Sequence, residues 1–205
     1  MLSANAIVSL HDTLTRAWHA VPEAGEPLPD AADWLQRVAR QHRANFDLWH
    51  IEDEARVPSA SDATLAAVKR RIDRTNQLRN DLAEDLDRAL LESLEPRRLP
   101  APLAPLHSES PGLMIDRLSI LALKVFHTRE EAERPDAPAG HAQRNRDRLA
   151  ILEEQRADLA ACLDALWREV LAGTRRFKLY RQLKMYNDPQ LNPAIYRNLH
   201  DKPAP

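Results

Sequence analysis

Apolar positions recur every three or four residues along most of the chain, and the prolines and glycines stand between the periodic stretches rather than inside them. The uninterrupted pieces run 3–20, 30–57, 61–95, 112–134, 141–172 and 174–187. Such spacing turns one face of a 3.6-residue helix toward a core, so the pattern predicts an all-α fold, an antiparallel bundle of about six helices in one domain over residues 1–205, with a frayed tail from about 200. Local chemistry agrees. Asp30 and Ser61 stand at N-cap positions, Pro111 suits a first turn, and Gly173 suits a helix end. The stretch 96–111, with Pro100, Pro102, Pro105 and Pro111, is too rich in proline to be helical and is predicted to cross one end of the bundle. Within 112–134 the run LMIDRLSILALKVFH is apolar nearly all round, which predicts a central helix surrounded by the others.

The 141–172 piece reads as a plain bundle helix, with Leu152, Leu159 and Leu166 repeating every seven residues and Cys162 beside them as a buried thiol. The other long pieces depart from that pattern. In 30–57, Trp34, Val38, His42, Asn45, Trp49, Glu52 and Arg56 share an arc of about 80° that begins apolar and turns polar. Either these polar groups enter the bundle between indole rings, or Glu52 and Arg56 form a rim pair worth a few tenths of a kcal/mol. In 61–95 the core stripe is Leu65, Val68, Ile72, Leu82, Leu86 and Leu90, and beside it lie Asp73, Asn76, Asn80, Glu84 and Asp87. Asparagine costs roughly 0.7 kcal/mol against alanine inside a helix, so Asn76 and Asn80 on one face suggest a hydrogen-bonding task. In 112–134, Asp116, Ile120, Leu123 and His127 share a face, with Arg117 and Lys124 on an adjacent one. Asp116 is too short to reach water from a buried position, and marks either a polar site or an ion pair with Arg117 or Lys124. The 174–187 piece holds Arg175, Arg176, Lys178, Arg181 and Lys184 before its first acid, Asp188, and predicts a basic helix with Phe177 and Tyr180 among its cations.

Composition narrows the chemistry. The 205 residues include 4 glycines where about 14 would be usual, so phosphate loops lined by glycine are excluded. A net charge of −2, from 29 basic and 31 acidic residues, offers no general attraction to nucleic acid. The single cysteine, Cys162, permits no internal disulfide and no cysteine-based zinc site. No run of 18 apolar residues occurs and the start lacks a signal-peptide pattern, so no membrane span and a cytoplasmic location are expected.

The blocks NFDLWHIEDEAR (45–56), IDRTNQLRND (72–81), ESPGLMIDRLSILALKVFH (109–127) and RFKLYRQLKMYNDPQLNPAIY (176–196) resemble the bacterial domain-of-unknown-function 4254 family. The resemblance implies an all-helical bacterial protein whose genes associate with glycosyltransferases of surface-polysaccharide pathways. The positions that match are Asn45, Trp49, Glu52, Asp53, Arg56, Asp73, Asn76, Arg79, Asn80, Asp81, Asp116, Arg117, Lys124, His127, Lys178, Arg181, Lys184, Asn187 and Asp188. The family brings no established activity and assigns no chemistry among them.

Three functions suit this pattern. In the first, the 30–57, 61–95 and 112–134 helices line a polar cleft for a sugar phosphate, nucleotide-sugar or nucleotide. Lys178, Arg181 and Lys184 would hold its charge, Trp49 and Tyr180 would stack, and His42, Asn45, Arg56, Asp73, Asn76, Asn80, Arg117, Lys124 and Asn187 would complete the site. Asp116, His127 and Glu52 are its candidate catalytic groups. In the second, Glu84 and Asp87, an E-x-x-D pair, with Glu52 hold Mg²⁺ in an all-helical nucleotide pyrophosphohydrolase, although no E-x-x-E precedes that pair on a predicted helix. In the third, the polar stripes specify the bundle and the basic helix docks a partner enzyme. His11-Asp12 lacks the further residues of an HD site, and Ser119 lacks the strained turn of a nucleophile.

Overall fold

The computed structural model describes residues 2–21, 33–181, 183, 190 and 191 of the chain, and among them it is all-helical, with five α-helices and no β-strand. These are α1 (Ala4–Ala20), α2 (Asp33–Glu54), α3 (Asp62–Leu94), α4 (Pro111–Glu133) and α5 (His141–Leu171). Serine caps begin three of them. The Ser3, Ser61 and Ser110 hydroxyls accept from backbone N–H groups of the first turns of α1, α3 and α4, and Pro111 follows its cap where an N–H would have had no helical partner. Helix α5 ends before Gly173, whose φ of 74° is the left-handed conformation that lets the chain turn away. Asp30 lies outside the described residues.

Two features of the sequence pattern resolve differently. The described part of the basic stretch, 174–181, is not helical. After Gly173 the chain instead runs beside the 98–110 segment, where Arg176 N–H donates to the Pro105 carbonyl at 3.0 Å and the Arg176 carbonyl accepts from His107 N–H at 2.8 Å. That pairing satisfies backbone groups a helix would have bonded internally, and it seats Phe177 in the core. The first half of α3 is largely exposed, Leu65 and Leu78 included, so the apolar stripe of that helix becomes core only at Val68 and beyond Leu82.

Side-chain pairs fix the helix directions. Arg37–Asp85 and Glu54–Arg71 run α3 antiparallel to α2, Arg79–Asp116 and Asp87–Gly112 run it antiparallel to α4, and Arg129–Glu153 with Glu131–His141 set α5 antiparallel to α4. By contrast α1, α2 and α4 point the same way, since Thr15 meets His42, Gln41 meets Asp116, and Asn45 meets Ser119. Helix α4 contacts each of the other four. Residues 98–110 contain no helix. The main core gathers Ile7, Val38, Leu86, Ile115, Leu163 and Val170, each fully buried and worth about 1.5–3 kcal/mol of burial. Among the described residues no helix is long and apolar enough to cross a membrane.

Candidate functional site

A cleft of about 370 Å³ opens where α2, α3 and α4 meet, lined by Asn45, Trp49, Glu52, Asp53, Arg56 and Arg79, with Leu48, Ile120 and Leu123 as its apolar wall. The α2 residues come from one arc of that helix, at spacings of three and four, and so face the same space. Arg79 reaches it from α3, and Ile120 and Leu123 form the part contributed by α4.

Behind the cleft lies Asp116, buried on α4. Its Oδ1 accepts from Gln41 Nε2 at 2.6 Å, Asn45 Nδ2 at 2.9 Å and Arg79 Nε at 2.8 Å, while Oδ2 accepts from Arg79 Nη2 at 2.5 Å. This two-point guanidinium–carboxylate contact is the strong, planar kind. The Asp116 hydrogen bonds hold the Arg79 proton more firmly than usual, and the charges of Asp116 and Glu52 add to that effect against the cost of burial. Asn45 also donates to Ser119 Oγ at 2.9 Å, and Ser119 lies 2.7 Å from His42 Nδ1. Burial lowers the His42 pKa to about 3, so its ring is neutral. Its Nε2 sits 2.9 Å from Thr15 Oγ1. His11 stacks on this ring at 4.4 Å, its own pKa driven down by burial and then by His42. The chain Thr15–His42–Ser119–Asn45–Asp116–Arg79 thus links the core of α1 to the floor of the cleft.

The rim is ionic. Arg56 donates to Glu52 at 2.8 Å and to Asp53 at 3.2 Å, with Arg56 and Asp53 exposed and Glu52 half-buried. Trp49 is fixed from the other side, its ring lying nearly parallel to that of His127 at 4.8 Å.

The structure divides the residues singled out from the sequence. Asn45, Trp49, Glu52 and Arg56 line the cleft, with Asp116 and His42 buried behind it and His127 behind Trp49. Asp116 pairs with Arg79, not with Arg117 or Lys124. Arg117 instead donates to both Glu109 oxygens at 2.9 and 2.8 Å, and it shares with Lys124 and Cys162 a separate groove of about 700 Å³ between α4, α5 and the 98–110 segment. Cys162 is therefore exposed rather than buried, because Leu159, Leu163 and Leu166 take the inward face of α5. Asp73 pairs with Lys69 on the surface, and Asn76 and Asn80 are half-buried on α3 without lining the cleft.

The metal candidate Asp87 has another role. It is buried at the start of α4, accepting from the Ser110 hydroxyl and from Gly112 N–H at 2.6 Å, and neither it nor Glu84 lines the cleft. Lys178, Tyr180 and Arg181 are exposed on the extended segment and do not line the cleft either, so among the described residues no basic helix closes over it. Lys184 and Asn187 lie outside the described residues.

Arg79, Gln41 and Ser119 complete the network without having been singled out as its members. Arg79 stands seven residues from both Ile72 and Leu86, and Gln41 seven from both Trp34 and Leu48. A polar residue on an apolar heptad line is the signal that could have found them.

Residues 35–179 match the family model described as a protein of unknown function, DUF4254. The chain belongs to this family. The matched stretch takes in every residue of the cleft and leaves α1 outside it. Neither a curated protein nor a solved structure matches the chain.

Proposed function

We propose that this member of the family binds a small, polyhydroxylated anion, a sugar phosphate or nucleotide-sugar, in the cleft between α2, α3 and α4. The reading rests on the way Arg79 and Trp49 are held. Asp116 locks the guanidinium and His127 supports the indole, so both are in place before a ligand arrives and little side-chain entropy remains to be lost on binding. Trp49 offers a ring face to a sugar or base, Arg56 and Arg79 offer donors to phosphate, and Glu52, Asp53 and Asn45 offer acceptors to hydroxyls. Acids and arginines side by side suit a ligand with both kinds of group better than a bare phosphate. A nucleotide-sugar also fits the link to glycosyltransferases that the family resemblance implies.

Isothermal titration calorimetry with glucose 1-phosphate and UDP-glucose tests this. Binding is expected to the wild type and to be weakened at least about tenfold by Arg56→Gln and by Trp49→Leu, about 1.4 kcal/mol each. Arg56 is exposed, so its loss leaves the fold intact. No binding of either probe, or affinities untouched by both substitutions, would overturn the reading.

A further inference from the structure

We propose that His19, His50 and His127 form a three-imidazole site for a divalent transition-metal ion of the zinc class. The three residues come from α1, α2 and α4, the helices that share one direction, and each stands at the same level of the bundle. One ring nitrogen from each lies within 4.8 Å of the others.

The hydrogen bonds decide which nitrogens are free. His19 Nδ1 lies 2.7 Å from the Thr15 carbonyl and His50 Nδ1 lies 2.8 Å from the Phe46 carbonyl, each one turn back on its own helix. A carbonyl only accepts, so both rings carry their proton on Nδ1 and present a lone pair at Nε2. His127 Nδ1 lies 3.0 Å from a Glu130 carboxylate oxygen, which fixes its tautomer in the same sense. Metal-bound histidines carry this arrangement, the second nitrogen donating to a carbonyl or carboxylate that orients the ring and raises its basicity. His19 Nε2 and His127 Nε2 are buried with no hydrogen-bond partner. Buried polar atoms of that kind ordinarily find one.

Aromatic packing accounts for the ring faces, since His19 stacks on Phe126 at 4.2 Å and His127 on Trp49 at 4.8 Å. It does not account for two unmet lone pairs beside a third imidazole. Tetrahedral zinc with Zn–N bonds of about 2.0–2.1 Å holds its donors about 3.3 Å apart, so small ring rotations close the set onto an ion. Three nitrogen ligands and no thiolate suit zinc, copper or nickel rather than magnesium or calcium. A fourth position stays open, as in zinc sites that bind water or a substrate atom.

The site stands apart from the ligand proposed for the cleft, although Trp49 touches both, and it has its own readout. Full-length protein dialysed against chelator is titrated with Zn²⁺ against a chromophoric competitor, and separately with Co²⁺ for its visible spectrum. One ion per chain and the intense bands of four-coordinate Co²⁺ are expected. His50→Gln should weaken Zn²⁺ at least about 100-fold and Glu130→Gln about tenfold, while His107→Gln, at the other end of α4, changes nothing. Glu130 is exposed, so its variant answers the question even where His50→Gln fails to fold. Absence of a stoichiometric Zn²⁺ complex, or affinity indifferent to both His50→Gln and Glu130→Gln, would make the histidines packing residues and end the proposal.

Discussion

At the scale of single residues, buried charge dictates what each carboxylate does. Asp116 is ringed by four donor contacts from Gln41, Asn45 and Arg79, and such a set compensates the several kcal/mol that burying an ion costs. Asp87 is less well served. Burial pushes its carboxyl from 3.8 up to about 6, opposed by donors from Ser110 and Gly112, with the Glu84 charge adding to the rise. The folded protein therefore holds this proton more tightly than the unfolded chain does. The resulting stability is fully present below about pH 4 and is lost as pH rises through about 6, an effect on the order of 3 kcal/mol. Asp87→Asn removes it. Unfolding free energies measured by urea at a series of pH values should show the wild-type-minus-variant difference falling over that window, and a flat difference would refute the assignment. The sequence pattern marks Asp116 as a buried polar site or half of an ion pair, but the only partners it offers for the pair are Arg117 and Lys124, which share its helix. Choosing Arg79 depends on how far α3 slides along α4, and periodicity within one helix carries no information about that register.

At the scale of elements, α3 and α4 approach closely at Gly112. A methyl group there would sit 2.3 Å from the Ala83 carbonyl oxygen and 2.9 Å from the Asp87 carboxyl. Two effects compete in Gly112→Ala. Helix propensity favours alanine by about 1 kcal/mol, whereas overpacking costs typically 1–3 kcal/mol. The near contact is backbone, which cannot rotate aside, and the displacement also disturbs the Gly112–Asp87 hydrogen bond. Steric cost wins, so the variant should lose about 1–3 kcal/mol in urea unfolding; a gain in stability would mean that the two helices are not so closely apposed. Helix starts and stops were legible beforehand because capping is local, as Ser61, Pro111 and Gly173 show. The 174–181 stretch was not, because what competes with helix there is pairing to residues 105–107, some seventy positions away in the chain. Cys162 was misread for a related reason: the heptad line of α5 is genuine, but its partner helix covers only one side of it.

At the scale of the whole molecule, three helices running one way are tied to two running the other, and the extended segment after α5 clasps the end where α3, α4 and α5 come together. All-α class and the central pieces of the cleft were legible because both follow from periodicity within single helices. Convergence of His19 with His50 and His127 was not, since it needs α1 and α2 to lie parallel, an arrangement that depends on the path between them. The clasp carries its own energetic consequence. Phe177 is 2% exposed and belongs to the main core, although it sits outside every helix. Its backbone neighbour Arg176 is bonded to Pro105 and His107 through both its N–H and its carbonyl, and the Arg176 Nε donates to the Ala104 carbonyl at 2.7 Å. With the backbone anchored at Arg176, the site cannot collapse readily around a lost side chain. Phe177→Ala should therefore cost the full sum of lost transfer energy and cavity, about 3–5 kcal/mol. Leu183, a few residues on and 82% exposed, is the matched control, and Leu183→Ala should stay within about 0.5 kcal/mol of the wild type. Urea unfolding of the two variants separates a segment that belongs to the core from one that merely lies on it. A Phe177→Ala loss below about 1 kcal/mol would place the segment in the second class, whereas a full loss with an unchanged slope against urea would show that it unfolds together with the bundle.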